Sequence, residues 1–418
     1  VTAQDRIAQV VEEHAVDSAF YWLLRDAAVS QPHFALRHLA RLDDHLAAQL
    51  DGLQIAGDEG WAACREGLEH NEPGELFAAS VVALESGDPA RIETVVALVS
   101  GAPELSRALV AALAWVPLAQ AGPHLARLLD GRAAELRLVA LAAAAAHRAD
   151  FGPALSAALL DGESALRARS CRAVGELGRS DLLWATEREL RAEDPEVLFS
   201  AAWSTAVLSP NPEALSALAR IAQSDSRHRD RALQTAMRRA EPHAAKKWVQ
   251  RLAQDGTTLR LALQGAGAIG DPADIPWLVE HMKIPEQARV AGESFTTITG
   301  VDLAYDDLET DRPEGFESGP TEDPADENVE LDADENLPWP DPQLVQKWWQ
   351  SNRHAFQPGT RYLLGKPITV DWCKQVLRIG RQRQRAAAAL EISMRQPGTP
   401  LFEVRAPGFR QKQLLGVA

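Results

Sequence analysis

Arg260-Leu261-Ala262-Leu263-Gln264-Gly265-Ala266-Gly267-Ala268-Ile269, closed by Gly270-Asp271-Pro272, decides the fold. A charged lead opens a run of small and apolar residues at helical spacing, and a turn signal ends it. The pattern recurs behind Arg107, Arg137, Arg169, Leu198, Arg231 and Arg289. Successive leads are spaced by 30, 32, 29, 33, 29 and 29 residues. Such a period, carried by Ala, Leu and Val, predicts a helical repeat array. Each unit of an array buries its apolar face only against its neighbours.

Turn signals punctuate the same region: Gly87-Asp88-Pro89, Gly101-Ala102-Pro103, Gly122-Pro123, Gly152-Pro153, Asp194-Pro195 and Pro210-Asn211-Pro212. Proline there opens a helix and prevents the preceding one from continuing. Each unit therefore reads as two helices, the second bearing small residues that let neighbouring pairs stack closely. A unit of this length, with Asp-Pro or Gly-Pro turns and an early arginine in its inner helix, resembles the HEAT-like class. The expected fold is all-α: a HEAT-like α-solenoid with an N-terminal helical region, an acidic loop and a small C-terminal helical cap.

The expected boundaries are 1–73 for the N-terminal helices, 74–300 for the repeats, 301–342 for the loop and 343–418 for the cap. In the first region, Ile7, Val10, Val11 and His14 share a helix face, and Phe20, Leu23 and Leu24 start a second helix. Pro32 suits the first turn of a third, running through Leu36, Leu39, Leu42, Leu46 and Leu50. After the loop, Pro342 to Ser351 reads as a short helix and Thr369 or Val370 to Arg395 as one longer helix. Pro400 to Val404 reads as extended.

Charge is distributed unevenly over the 418 residues, whose net charge is −16. Residues 302–341 hold 16 acids and one base, Arg312, whereas residues 342–418 hold 13 bases and three acids. The acidic strip has too few apolar residues to offset its ordering entropy, so a long loop is expected, pinned locally by Phe316, Leu337 and Trp339. An intramolecular arrangement is favoured, with the strip folding back near the basic segment of Arg378, Arg381, Arg383 and Arg385. Nucleic-acid binding through those arginines is disfavoured, because the chain is acidic and the strip lies immediately upstream. Three scattered cysteines, Cys64, Cys171 and Cys373, fit a reducing compartment better than a disulfide framework. No apolar run of membrane-spanning length is present, so no membrane insertion is expected.

Motifs for chemistry are sparse. Gly365-Lys366 is followed by Pro367 and is not a phosphate loop; no G-x-S-x-G and no His-Glu dipeptide occurs. His33, His38 and His45 are read as solvated positions of an amphipathic helix. Asp332, Asp334 and Asn336 alternate as in a calcium loop, but Leu337 stands where that loop needs glycine and Gln343 where it needs glutamate. No catalytic, cofactor-binding or metal-binding residue is therefore assigned, and no cofactor is expected.

Several segments are similar to a family of bacterial HEAT-like repeat proteins often encoded beside type VI secretion genes. The likeness rests on His14 with Ala19-Phe20-Tyr21-Trp22-Leu23, Leu42-Asp43, Leu50-Asp51-Gly52-Leu53 and Gly60-Trp61. It is most specific at Ala288-Arg289-Val290-Ala291-Gly292-Glu293-Ser294-Phe295 and Ile298-Thr299-Gly300-Val301-Asp302-Leu303. It continues through Asp334-Glu335-Asn336-Leu337-Pro338-Trp339-Pro340 and Arg361-Tyr362-Leu363-Leu364-Gly365. The resemblance implies a cytoplasmic accessory role, holding an effector or spike component before export, and no catalytic residues come with it.

The function expected is a non-catalytic protein-binding scaffold, an adaptor or chaperone. Its partner contacts are expected at Asp332, Asp334, Glu335, Trp339, Arg378, Arg381 and Arg385. The alternatives are an enzyme of lyase or base-excision type with a site in the concave groove, or nucleic-acid binding through the basic C-terminal helix. A deep pocket with converging acids and aromatics would favour the enzyme.

Overall fold

Every lead of the periodic pattern lies within the first six residues of an α-helix, and these helices form the inner layer of the repeats. The computed structural model describes residues 3–319 and 332–417, so residues 320–331 of the expected acidic loop lie outside the described residues. The described fold is all-α apart from two ladders of two-residue strands.

The chain forms two units. The first comprises Val1–Ser30, Phe34–Leu208 and Gln396–Ala418. It begins with α1 (Ala3–Ala28), α2 (Leu36–Ala56) and α3 (Asp58–Gly67). Helix pairs follow: α4 (Pro73–Ser86) with α5 (Pro89–Gly101), and α6 (Ser106–Trp115) with α7 (Leu118–Leu129). Next come α8 (Ala134–His147) with α9 (Gly152–Ala158), α10 (Ser164–Leu177) with α11 (Leu183–Arg188), and then α12 (Pro195–Leu208). Helices α4, α6, α8, α10 and α12 each pack on the next, backed by α5, α7, α9 and α11, which is α-solenoid stacking. Helices α1 and α2 cover α4.

The second unit comprises Gln31–His33 and Ser209–Arg395. Its repeats use α13 (Pro212–Ala222), α14 (Arg229–Arg239), α15 (Pro242–Leu252), α16 (Leu259–Ile269), α17 (Ile275–His281) and α18 (Pro285–Thr299). Here α14, α16 and α18 stack in sequence. Strand β1 (Glu309–Thr310) pairs antiparallel with β2 (Trp339–Pro340), ahead of α19 (Pro342–Asn352). A hairpin of β3 (Tyr362–Leu363) and β4 (Lys366–Pro367) leads to α20 (Val370–Ile379) and α21 (Gln382–Arg395). The last helix, α22 (Gly408–Leu415), belongs to the first unit and packs on α2.

The proline turns are N-caps. Asp88, Asp194, Asn211, Asp271 and Asp341 each accept a backbone N–H from the first turn of a helix whose first residue is proline. Each cap contributes about 1 kcal/mol and places the boundary. The small residues set the stacking distance. A Cβ on Gly175 of α10 would lie 2.6 Å from Ser204 Oγ of α12, and that hydroxyl donates to the Cys171 carbonyl at 2.7 Å. The same device joins α16 and α18: Gly267 faces Ser294, whose hydroxyl donates to Leu263 O at 2.9 Å.

Two expected elements differ. Residues 3–28 form one helix, since no glycine, proline or capping turn interrupts them. Phe20, Leu23 and Leu24 lie on its solvent side, 56, 44 and 40% exposed. The long C-terminal helix is broken at Gly380, whose backbone turns extended (φ −73°, ψ 165°), and where a Cβ would lie 2.8 Å from Val376 O. Arg378 thus belongs to α20 and Arg385 to α21. The expected cap, 343–418, is shared between the two units.

Glu85 in the last turn of α4 has its pKa pushed up to about 7 by burial, with Asp51 of α2 adding repulsion. A carboxyl whose folded pKa lies above its unfolded value destabilises the fold as it ionises. Its stability term is intact below about pH 4.5 and is lost as pH rises through about 7. With solvent screening of this half-buried group allowed for, Glu85→Gln is therefore expected to raise stability by about 1–2 kcal/mol near pH 8 and to change it little near pH 4. Urea denaturation at both values checks this, and an equal effect at both would refute it.

Candidate functional site

The strip and the basic segment meet the repeats on the inner face of the second unit. Asp334 lies in a turn that ends in β2, and it accepts two parallel hydrogen bonds from Arg260 of α16, at 2.6 and 2.7 Å. Bidentate pairing of this kind is the strongest Arg–carboxylate geometry. Asp332 pairs with Arg289 of α18 at 2.7 Å and also accepts from Ser318 Oγ and the Asp334 N–H. Burial acts to raise the Asp332 pKa, but these hydrogen bonds outweigh it and the pKa is lowered. The Arg289 guanidinium lies 4.6 Å from the Trp339 ring centroid and 5.5 Å from that of Phe316, which meets Trp339 edge-on. Such cation–π contacts contribute most where water is excluded, and the Arg289 side chain is only 8% exposed.

The basic segment closes the arrangement. Arg381 pairs with Asp302 at 2.6 Å, and Arg383 of α21 donates to both carboxylate oxygens of Glu293 on α18 at 2.8 and 2.9 Å. Burial raises the Glu293 pKa; Arg383 opposes the shift and Asp334 reinforces it. Further along α21, buried Glu391 accepts from Arg361 at 2.5 Å, Arg395 at 3.3 Å and Arg238 of α14 at 3.4 Å.

Of the residues expected to contact a partner, the structure brings Asp332, Asp334 and Trp339 together around Arg260 and Arg289. Asp334 and Arg385 are buried, so the surface role expected of them has no surface to act through. Arg385 donates to Leu377 O at 2.8 Å and to Gln382, which ties α21 to the end of α20. Arg381 pairs with Asp302 away from these three; Glu335 is exposed, and Arg378 lies partly exposed on α20. The described ends of the strip are irregular but pinned, as expected at Phe316 and Trp339; Coulomb pairing with half-exposed Arg260 and buried Arg289 adds ordering energy that apolar residues alone do not supply. Arg260, Arg289, Glu293 and Arg383 complete the cluster. The first two were legible as repeat leads, but nothing local marked them as partners of the strip.

Three of the segments that carry the family resemblance, around Arg289, Trp339 and Tyr362, meet at this site. Leu364 and Gly365 donate backbone N–H groups to Thr297 O and Ile298 O at the end of α18, and Gly292 of α18 faces Pro340 of β2.

In the first unit the inner face has another character. Glu176 of α10 accepts from Arg169 at 2.5 Å and Arg172 at 2.8 Å, and Arg148 also faces it. Burial opposes ionisation of Glu176, but these three arginines hold its pKa well below the usual carboxylate range. Arg148 reaches Glu403 at 3.2 Å, while Asp26 of α1 accepts from Arg107 at 2.6 Å with Arg405 at 3.9 Å. Burial lowers the Arg405 pKa, with Glu403 opposing and Arg107 and Arg172 adding repulsion. Five guanidinium groups therefore face three carboxylates, and Arg169 Nη1 is buried without a hydrogen-bond partner among the described residues.

A cavity of about 530 Å³ in the second unit lies beside α13 and α15, walled by Leu215, Ala219, Ala244 and Trp248, with Asp255 its lone carboxylate. A single carboxylate gives it no converging acids. Among the described residues no three His, Cys, Asp or Glu side chains are placed to hold a metal ion. His38 accepts the Ala35 N–H at the start of α2, and His45 stacks on Tyr21. All three cysteines are buried, which pushes the thiols of Cys64 and Cys171 up to about 12 and that of Cys373 up to about 11.

Fold and site together define an all-α helical-repeat protein whose inner faces carry arginine–carboxylate clusters. No protein-family model matches the chain, and no curated protein matches it. No single helix among the described residues is long and apolar enough to cross a membrane; α5 and the following segment to Trp115 pass jointly but bend by 119°.

Proposed function

We propose that this chain is a non-catalytic protein-binding scaffold of HEAT-like type, an adaptor or chaperone that holds another protein on its repeats. The observation that carries this reading is the inner face of the first unit, where Arg107 is exposed and Val110, Ala111, Leu138 and Ala142 keep part of their surface in solvent. Repeat stacks use such inner faces to bind extended partners. The segments around Arg289, Trp339 and Tyr362 support a type VI secretion effector or spike component as cargo, and a cytoplasmic site of action, through their resemblance to that family. Affinity capture from native lysate at low and moderate salt, quantified by mass spectrometry, tests it. One protein held at near-stoichiometric amount is expected. Absence of any such protein at both salts overturns the reading.

A further inference from the structure

The solvent side of α1 carries an apolar stripe. Val16, Phe20, Leu23 and Leu24 are 67, 56, 44 and 40% exposed, and Ala27 continues the line. Their spacing follows the helical repeat, so they form one ridge along the last three turns, about 17 Å long at 1.5 Å per residue. A contiguous exposed ridge with an aromatic residue at its middle has the make-up of an interaction surface and not of scattered surface leucines.

The ridge ends beside Asp26, one helical turn beyond Leu23. Above Asp26 stand Arg107 and Arg405, whose side chains are 58 and 48% exposed. They open the cluster in which five arginines face three carboxylates. This excess of positive charge sits on a unit that carries 31 acids against 20 bases, so it is a local reversal of sign. At the other end of the ridge lie Glu12 and Glu13, both exposed. A straight apolar ridge fits a helix laid along it, with apolar anchors at helical spacing. The charge pattern fits a helix whose polar residues near the Arg107 end are acidic. A nucleic acid would present phosphate along the whole ridge and meet Glu12, Glu13 and the acidic remainder of the unit.

We infer that the last three turns of α1, with Arg107 and Arg405 beside them, dock an acidic amphipathic helix of a partner protein. This inference rests on the scaffold reading and names the surface and the partner's chemistry. The occupant places leucine or phenylalanine side chains between Phe20 and Leu24 and its carboxylates over Arg107 and Arg405.

Fluorescence anisotropy with the full chain tests it. The probe is a synthetic helical peptide with Leu and Phe on one face and Glu on the other; the controls are the same peptide with Lys for Glu, a scrambled Glu peptide without the periodicity, and a labelled oligonucleotide. The acidic amphipathic peptide is expected to bind saturably and to weaken with salt. Arg107→Glu with Arg405→Glu, and separately Phe20→Ser with Leu24→Ser, are each expected to weaken it about tenfold or more, which is about 1.4 kcal/mol. All four positions are exposed, and unchanged thermal melting establishes that the variants fold. Absence of saturable binding, equal binding of the Lys or scrambled peptide, or indifference to both variant pairs overturns the inference. So does oligonucleotide binding lost with the arginines, or a dimer in analytical ultracentrifugation lost with Phe20→Ser, because the occupant is then a nucleic acid or a second copy. A stoichiometric captured protein whose affinity ignores all four substitutions leaves the scaffold reading standing and removes this surface alone.

Discussion

Glu391→Ala is expected to cost the second unit about 3–5 kcal/mol, because it strands buried arginines. The Glu391 and Arg238 side chains are 2 and 3% exposed. Burial lowers the Arg238 pKa, Glu391 opposes that shift and Arg361 reinforces it, so the carboxylate is what compensates the buried guanidinium charge. Arg361 donates to the same carboxylate through Nη2, which also donates to Ala268 O, while Nε and Nη1 donate to the carbonyls of Ile269 and Arg238. Removing Glu391 leaves two like charges facing each other with little water to screen them. Glu391→Gln keeps one acceptor but removes the charge, and an intermediate loss is expected. Replacing both partners, Glu391→Leu with Arg238→Met, should recover part of the stability, since the desolvation cost of that pair leaves with its charges while Arg361 stays without its carboxylate. Denaturant unfolding of the four proteins measures this. A Glu391→Ala variant within about 1 kcal/mol of the parent would show that the network is hydrated and not a buried anchor.

Gly270→Ala is expected to destabilise by about 2–4 kcal/mol and to loosen the β3–β4 hairpin before the repeats unfold. Gly270 ends α16 in the left-handed region (φ 77°), and a methyl group built there would run into the Tyr362 carbonyl oxygen. The hairpin crosses the helix end at this point: Tyr362 donates its N–H to Gly270 O at 2.8 Å, and Arg361 donates to Ile269 O at 2.9 Å. These are carbonyls that a helix end leaves without internal partners. The device repeats one unit later. Gly300 (φ 76°) ends α18, and its Cβ would lie 2.7 Å from the Leu364 carbonyl carbon. In the first unit Gly178 ends α10 against Gly398, and Leu401 donates to Glu176 O. Hydrogen exchange at Tyr362, Leu364 and Gly365 separates loss of the strap from global loss, because amides held only by the strap exchange first. Uniform protection loss across the second unit would mean that Gly270 acts through α16 alone.

Much of the architecture was legible. The seven leads mark seven inner helices, and the Asp-Pro and Asn-Pro pairs are N-caps, Asp194 of the inner helix α12 and the others of helices beside the inner layer. Both features depend on residues within a turn or two of each other. The break at Gly380 was less legible, because Trp372, Val376 and Leu390 keep helical spacing across it. Opposite net charges in the strip and the basic segment indicated that they attract, yet the arginines that take the strip's acids are chiefly Arg260 and Arg289, read beforehand only as repeat markers. Arg260 and Asp334 are 74 residues apart, and Coulomb attraction alone does not choose among the arginines available.

The sequence by itself determined the helices, their caps, their period and the close stacking that glycine and serine allow, since backbone sterics, capping and apolar periodicity act over a few residues. Tertiary structure alone decided which of those faces were covered. It buried Asp334 and Arg385, which read as surface charges, and left the apolar Phe20, Leu23 and Leu24 in solvent. Burial depends on which distant segment arrives, and that is a property of chain return through the hairpin and the tail, set by loop closure and by the fit of backbone against the glycine helix ends.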